Sequence, residues 1–305
     1  MGKCNYTSIG GQALIEGIMM RGPKKTAMAV RLPDGNIDIS ELKFMSVKER
    51  FKILNLPIIR GVVNFVEAMI QGYKALSISA DKSGFADEEG GEKTSSAVIT
   101  AIMAVASVLA VALSVFLFVY LPALAFDGLM IILGDSIEFL APLFEGIIKI
   151  LIMVVYMLLV SRMKDIKRVF MYHGAEHKTI FCFEAKEELT VENVRRHRRF
   201  HPRCGTSFLI LMLLVSIVVS SLITILLPWL RGYTLIWVAV KILLVPFICG
   251  IGYELIKICG KYENLFTKII SAPGMWLQRI TTIEPDDSMI EIAIVALSEV
   301  IPEED

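Results

Sequence analysis

The sequence predicts a mainly α-helical membrane bundle of four spans with a small α+β cap on its cytoplasmic side. Three observations predict this fold class. The 305 residues are 55% hydrophobic, with a mean hydropathy of +0.63, which is higher than a soluble chain of this size normally reaches. The apolar residues stand in long uninterrupted blocks. The basic residues are concentrated between blocks on one side only.

Four apolar blocks are predicted to span the membrane, and the two uncharged ones exceed a hydrocarbon core of ~30 Å at ~1.5 Å per helical residue. The predicted spans are 97–126, 146–161, 205–230 and 232–253. Pro122 and Pro228 are expected to end the two uncharged spans. The other two carry Lys149, expected to snorkel from one end, and Lys241. The segment 127–144 is too broken to span, and we expect it to lie along the outer interface.

The distribution of basic residues predicts the orientation of the chain. Residues 162–204 hold eleven lysines and arginines, whereas residues 123–145 hold none. Basic loops stay on the cytoplasmic side of a membrane. We therefore expect a multi-pass protein of the cytoplasmic membrane with both termini and the long middle loop in the cytoplasm.

A further apolar segment, 58–80, carries one thin polar stripe. The stripe recurs at spacings of four and three and consists of Arg60, Asn64, Glu67, Gln71 and Lys74. This pattern is typical of an amphipathic helix that lies in the membrane interface or packs against a bundle. The alternative, a fifth span that places the N-terminal region outside, is disfavoured because five polar residues within a span are costly.

The organisation predicted from these patterns has seven parts. In order, they are an N-terminal cytoplasmic segment (1–57) with two strands in 27–40, the amphipathic helix (58–80), an acidic linker (81–94), the first two membrane helices with their outer loop (95–161), a basic cytoplasmic loop (162–204), the last two membrane helices (205–256) and a cytoplasmic C-terminal region (257–305). Within the last region, Asp286 or Asp287 is expected to cap a helix that runs to Val300.

A histidine motif in the basic loop predicts a metal site. His173 and His177 stand four residues apart, so a helix presents both rings on one face. Glu176 completes H-x-x-E-H, the inverted form of a zinc-protease pattern in which the glutamate polarises a metal-bound water. Glu176 is therefore the candidate general base.

The end of the same loop supplies further candidate ligands, which matter because zinc takes three or four. His201 and Cys204 stand three apart around a proline, and His197 is a further candidate. The predicted ligand set of a tetrahedral zinc-type site is His173, His177, His201 and Cys204. Two alternatives stay open: a closed site that only holds the loop together, and no metal, with the histidines bonded to carbonyls and carboxylates.

The remaining charges do not indicate nucleic acid as a partner. The net charge is zero, and the arginine-rich run 194–203 has few aromatic residues between its charges. We interpret this run as positive-inside anchoring beside a helix that Thr190 caps. Contact with anionic lipid headgroups or with a phosphorylated ligand is the alternative interpretation.

Five sequence blocks are distributed over essentially the whole chain. They are SIGGQALIEGIMMRGP (8–23), RGVVNFVEAM (60–69), YHGAEHKTI (172–180), RFHPRCGTSF (199–208) and PGMWLQRITTIEPDD (273–287). Together they resemble the YqhQ-like family of uncharacterised bacterial multi-pass membrane proteins, a domain-of-unknown-function family sometimes labelled a predicted metal-dependent enzyme. The resemblance implies that the histidine, glutamate and cysteine motif residues named above stand at the family's motif positions.

The first of these blocks adds three polar candidates, Gln12, Glu16 and Arg21. One interpretation places Glu16 at the metal or substrate site. The other, which we favour, makes the block a turn that docks the small β unit onto the basic loop.

Three function hypotheses follow from the sequence. The first is metal-dependent hydrolysis or binding at the membrane surface, with zinc or another divalent metal. The second is a non-catalytic scaffold or quality-control partner that docks other membrane proteins or copies of itself. The third is a transporter, which the small number of polar residues in the spans disfavours. Membrane lipids are expected partners in every case.

Overall fold

The computed structural model describes residues 7, 9–44, 46–85, 96–262 and 264–302. Most of the acidic linker predicted at 81–94 therefore lies outside the described residues. An antiparallel sheet opens the described chain, and its strands pair in chain order. The strands are β1 Gly10–Leu14, β2 Gly17–Arg21, β3 Thr26–Arg31 and β4 Ile37–Leu42. The two strands predicted within 27–40 are confirmed as β3 and β4.

The two central strands of the sheet are buried on both faces. Ile18 and Met20 of β2 point into one apolar cluster, while Met19 between them belongs to another. In β3, Ala27 belongs to the first of these clusters and Met28 to the second. This alternation is the period of two that a strand imposes on its side chains. Because both faces are covered, β2 and β3 appear in the sequence as continuous apolar runs.

Eleven α-helices are described after the sheet. They are α1 Val47–Arg50, α2 Ile59–Lys82, α3 Ser96–Val115, α4 Leu121–Leu133, α5 Ala141–Val160, α6 Lys164–Glu184, α7 Val191–Arg196, α8 Gly205–Leu226, α9 Thr234–Lys261, α10 Leu265–Thr281 and α11 Asp287–Ser298. Thr190 caps α7 and Asp286 caps α11 through their side-chain oxygens, as predicted.

Four helical stretches of the described chain are long and apolar enough to cross a membrane. They are Val105–Leu133, Ser136–Val160, Gly205–Leu226 and Leu235–Lys261. Their number agrees with the prediction, and the segment 58–80 is not among them. The protein is therefore mainly helical, with a small sheet at its N-terminal end.

The prediction that Pro122 ends the first of these helices is wrong. A π-helical segment, Phe116–Tyr120, joins α3 to α4, and Pro122 lies in the first turn of α4, where a missing N–H costs little. Pro142 occupies the same place in α5. The segment 127–144 is thus the end of α4, a turn at Gly134 with φ +80°, a short 3₁₀ helix and the start of α5.

Helix α2 turns its polar stripe toward the protein. Arg60 pairs with Glu254 of α9, with 2.6 Å between Nε and Oε1, and the buried Glu67 accepts from Ser46 and the Val47 amide. Gly61 packs directly on the backbone of α9, where a Cβ would lie 2.9 Å from the Gly250 Cα. The apolar side of α2 is consequently the exposed one.

The connection between α10 and α11 crosses α6 at a glycine. The Ile283 amide donates to the Phe170 carbonyl at 2.9 Å. A Cβ on Gly174 would lie 2.1 Å from the Ile283 carbonyl oxygen, so only glycine lets the connection approach this closely. The crossing brings the end of α10 against the histidine-bearing turn of α6.

Candidate metal centre

Helix α6 supplies the two histidines of the candidate metal centre. His173 and His177 are one turn apart, and their ring centroids are 4.4 Å apart. The i, i+4 spacing places them on one helix face, as the sequence predicted. His177 is 2% exposed, whereas His173 is half-buried.

The start of α8 supplies the cysteine. Cys204 is the N-cap residue of α8, and its sulfur accepts from the Thr206 amide at 3.4 Å. A helix N-terminus carries partial positive charge, which favours a thiolate over a thiol. The residue is 7% exposed and is not part of a disulfide.

The two elements bring three potential ligand atoms together. One imidazole nitrogen each of His173 and His177 and the Cys204 sulfur all lie within 4.8 Å of one another. The His173 Nε2 to Cys204 Sγ distance is 3.1 Å. A tetrahedral zinc site has nitrogen–sulfur separations of about 3.5 Å, given its Zn–N and Zn–S bond lengths. The His173–Cys204 separation is thus within about half an ångström of the value at a zinc site.

Backbone carbonyls fix the orientation of both imidazoles. The Nδ1 of His173 lies 2.8 Å from the Thr281 carbonyl oxygen, and the Nδ1 of His177 lies 2.5 Å from the Arg199 carbonyl oxygen. A carbonyl only accepts hydrogen bonds, so each Nδ1 must carry a proton. In a neutral ring, Nε2 then has the free lone pair. Metal-binding histidines are commonly held in this way by a carbonyl behind the ring.

The cluster favours a protonated imidazole at His173 and a thiolate at Cys204. Burial opposes a charge on His173, but the neighbouring Cys204 outweighs burial and raises the pKa of His173 to about 9. Burial also works to raise the pKa of Cys204, but the charges of His173 and His177 lower it well below its ordinary value. The sulfur is therefore held as a thiolate, the form that binds metals.

Glu176 is buried beside the cluster, and only one of its carboxylate oxygens has a hydrogen-bond partner in the protein. Its side chain packs on β1, where a Cβ on Gly11 would lie 3.0 Å from the glutamate Cδ. The Gly11 amide donates to the carboxylate, but Oε2 is buried and has no hydrogen-bond partner. Burial raises the pKa of Glu176, with His173 and His177 opposing it. A buried carboxylate oxygen without a partner indicates an ion or water beside it.

His201 was the predicted fourth ligand, and it lies outside this group of converging atoms. Its ring is 5.6 Å from that of His177 between centroids, but its Nδ1 accepts from the Arg203 amide and its Nε2 lies 3.7 Å from a Glu184 oxygen. That distance is too long for a hydrogen bond, although close enough for the two groups to interact. Burial lowers the pKa of His201. The proline turn aims this ring at Glu184 instead of at the cysteine.

His197 takes part in a different group. Its Nε2 lies 3.2 Å from a Glu187 oxygen, and with Cys182 these residues form a second set of atoms close enough to hold a metal. Glu187 is exposed, and the Cys182 thiol donates to the Glu188 carbonyl at 3.6 Å. Hydrogen bonding therefore accounts for this second set without an ion.

The polar residues of the N-terminal block dock the sheet. Glu16, in the β1–β2 turn with φ +50°, accepts from Arg168 of α6 and from the Tyr172 hydroxyl, the latter at 3.2 Å. Gln12 donates to the Gly72 carbonyl of α2 at 3.4 Å. Arg21 donates to Gln71 of the same helix at 3.4 Å. The contacts of these three side chains hold the sheet between α2 and α6.

Sequence reasoning missed the residues of α10 that orient the centre. Gln278 is fully buried, accepts from the His201 amide at 2.7 Å and donates to the His201 carbonyl at 2.8 Å. Thr281 supplies the carbonyl behind His173. Both lie in the block 273–287, which was singled out only for resemblance. Neither residue carries a local sequence signal of a contact with a residue more than 70 positions away.

The fold and the site together define a mainly helical protein with four helices apolar enough for a membrane and a buried His–His–Cys cluster at their polar end. Residues 56–303 match the family described as Protein of unknown function (DUF1385), and the chain belongs to this family. It is similar to "Uncharacterized protein YqhQ" of Bacillus subtilis (strain 168), with 34% identity over 299 residues, which cover 96% of this chain and 92% of that protein. No solved structure matches. The family resemblance inferred from the sequence blocks is confirmed.

Proposed function

We propose that this chain is an integral protein of the cytoplasmic membrane that binds one zinc-type ion through His173, His177 and Cys204 at its cytosolic face. The observation that carries the proposal is the convergence of three ligand atoms. One imidazole nitrogen each of His173 and His177 and the Cys204 sulfur lie within 4.8 Å of one another. Backbone carbonyls anchor both imidazoles at Nδ1, which leaves Nε2 as the nitrogen available to a metal. A divalent cation that displaces the proton shared by His173 and Cys204 would bind all three groups.

The donor chemistry favours zinc over a hard cation. Imidazole and thiolate suit zinc, while magnesium and calcium prefer oxygen ligands. Helix-terminal charge and the two imidazoles already stabilise the thiolate at Cys204. The site therefore needs little reorganisation to accept a soft or borderline cation.

The exposed apolar side of α2 supports the placement at a membrane surface. Val66, Met69, Ile70 and Tyr73 are exposed on the side opposite the buried polar stripe. A helix that hides its polar face and exposes its apolar face suits a lipid boundary and not water. The eleven basic residues of 162–204 favour the cytosolic side for this polar end of the bundle.

Three protein ligands and a nearby carboxylate favour metal-assisted hydrolysis. Catalytic zinc sites have three protein ligands and one open position, and a zinc ion held here would supply a water of lowered pKa. Glu176, with one buried oxygen free of protein partners, would take the proton from that water as general base. The substrate would be a bond presented at the membrane surface.

Burial supports a second candidate, a structural metal that clamps α6 to α8. Glu176, His177 and Cys204 are each less than 9% exposed. If the Glu176 oxygen is a fourth ligand, the site is closed and no position is left for water. The protein would then act as a membrane scaffold with a metal-locked cytosolic cap.

Glu176→Gln separates the two candidates. The purified full-length variant should retain about one zinc per chain if Glu176 is a base, because a base is not needed to hold the ion. If Glu176 is a fourth ligand, zinc affinity should fall by roughly 100-fold or more. In a strain that depends on this protein, the base role predicts loss of function despite retained zinc. Function that survives in Glu176→Gln but not in His177→Ala would contradict hydrolysis.

A further inference from the structure

A cavity of 440 Å³ opens on the far side of the loop that carries His201. Its walls are residues 198–202, the middle of α10 and the end of α9, represented by Cys259 and Tyr262. The metal ligands do not line it. The cavity is large enough for a small charged group together with its hydration shell.

The walls of the cavity are basic and aromatic. Arg198, Lys268 and Arg279 contribute three cations, and Phe200 and Trp276 contribute aromatic rings. None of the described residues that line it is an aspartate or a glutamate. Arg198 stacks over the Phe181 ring at 4.7 Å, and within the described chain neither the Lys268 ammonium nor the Arg279 guanidinium contacts a carboxylate. Three cations without acidic partners around one hollow are complementary to an anion.

The cavity lies where the apolar bundle meets the polar cap. Tyr262 directly follows the last stretch long enough to cross a membrane, Leu235–Lys261. Helix α10, which forms one wall, buries Leu277 and Gln278 against the protein but exposes Leu265, Phe266, Ile269 and Trp276. Such a helix, apolar outside and set at the end of a span, lies at the level of lipid headgroups.

We propose that this cavity binds the phosphate-bearing headgroup of an anionic membrane lipid, with acyl chains running along the exposed apolar side of α10. Charge complementarity selects an anion, and two guanidinium groups can bind phosphate oxygens in pairs. The exposed apolar side chains favour a ligand that carries hydrocarbon over free phosphate. The aromatic rings of Phe200 and Trp276 suit the boundary between headgroup and chains.

The proposal is independent of the metal but adjoins it. Phe200 and Pro202, which line the cavity, flank His201 in sequence, and α10 holds that loop through Gln278. A lipid bound in the cavity would therefore rest against the same loop whose Arg199 carbonyl orients His177. A lipid site next to a metal centre would deliver substrate or anchor the cap.

The test measures binding of dioctanoyl phosphatidylglycerol to the full-length chain in neutral detergent by isothermal titration calorimetry. Dioctanoyl phosphatidylcholine and inorganic phosphate are measured in parallel. The lipid proposal expects the anionic lipid to bind at least about tenfold more tightly than either, a difference of about 1.4 kcal/mol. Equal binding of both lipids, or of free phosphate, would overturn it, as would no binding.

Charge removal locates the binding. Lys268→Gln with Arg279→Gln should weaken phosphatidylglycerol binding by about tenfold or more. Lys24→Gln with Lys43→Gln removes the same charge from exposed positions near the sheet and should change it by less than about twofold. Equal weakening in the two variants would refute a localised site. Zinc content measured in both variants distinguishes a failed lipid site from a misfolded cap or a failed metal centre.

Discussion

Two clusters of polar side chains within this protein differ in the chemistry of their members. In the apolar bundle, Lys241 of α9 pairs with Glu145 of α5, and both are buried. In the cap, His173, His177 and Cys204 bring two imidazole nitrogens and a sulfur together. The first cluster joins an ammonium to a carboxylate, and an ammonium has no lone pair for a metal. The second consists of side chains that bind zinc, which is why we assign it to metal binding and the first to structure.

The buried polar groups of the bundle also bear on the hypothesis that the protein is a transporter. Lys149 is buried and lines a cavity of 160 Å³ with Lys241 and the serines Ser216 and Ser220. The prediction that Lys149 snorkels from one end of its helix is wrong. Helix α5 begins eight residues before Lys149, so this residue does not lie at a helix end, and its side chain is buried. The cavity is too small for a continuous path across the bundle. The polar groups within these apolar helices are therefore best explained by packing between helices.

The largest effect is expected from removing the sulfur of the metal centre. Cys204→Ser should abolish stoichiometric zinc, because a neutral hydroxyl is a far weaker zinc ligand than a thiolate. Cys182→Ser is the matched control, since Cys182 belongs to the second group. Zinc content of both purified proteins checks this. Loss of zinc in Cys182→Ser with retention in Cys204→Ser would reverse our assignment of the two groups.

The cluster in the bundle should respond to single changes but not to a paired one. Lys241→Met leaves the Glu145 carboxylate buried without its ammonium partner, which should cost about 3–5 kcal/mol. Thermal unfolding in detergent should therefore shift downward by roughly 5–15 °C. Glu145→Gln combined with Lys241→Met should recover most of that loss. Lys257→Met, exposed on the same helix, should have little effect; a similar loss there would contradict the pairing.

A smaller effect is expected at Gln278, which holds the loop between the two halves of the centre. Gln278→Leu leaves the buried amide and carbonyl of His201 without partners and should destabilise the protein by about 1–3 kcal/mol. Ser271→Ala on the same helix is the control. Thermal unfolding measures both. An unchanged midpoint for Gln278→Leu would show that α10 does not support the loop.

The smallest effect is expected at Glu184 and depends on pH. Burial acts to raise the pKa of Glu184, but the nearby His201 and Arg203 lower it below its ordinary value of 4.5. A carboxyl with a lowered folded-state pKa stabilises the protein above the unfolded pKa, and this contribution disappears as the pH falls through the folded pKa. Glu184→Gln should thus destabilise the protein by about 1–2 kcal/mol at pH 7. The difference should vanish well below pH 4.5; a difference that grows in acid would contradict the ion pairing.

Local patterns predicted much of the fold. The hydropathy blocks gave the number of apolar helices, and the caps at Thr190 and Asp286 followed from residue chemistry. Pro122 misled the prediction of one helix end, because it lies in the first turn of α4, whereas α8 ends before Pro228 as predicted. The strands β1 and β2 were missed because their glycines were interpreted as turns. In the structure, Gly11 lets the Glu176 side chain approach β1, and Gly17 lets the Ala29 carbonyl of β3 approach β2.

The candidate site was only half predictable. The spacing of His173 and His177 on a helix fixes their shared face, so local geometry sufficed. Whether His201 joins the ligand set depends on the direction in which the proline turn points its imidazole ring. Sequence spacing does not determine that direction. Glu145 was assigned to an outer loop, and its pairing with Lys241 joins residues 96 apart in sequence. Contacts over such distances follow from helix packing, which one sequence does not display.

The most direct test is X-ray absorption spectroscopy at the zinc edge on the full-length protein, purified through a tag that contains no histidine. Our assignment predicts about one zinc per chain, with one sulfur at about 2.3 Å and two imidazole nitrogens at about 2.0–2.1 Å. Protein that folds without stoichiometric metal, or zinc bound without a sulfur ligand, would contradict a metal centre at His173, His177 and Cys204.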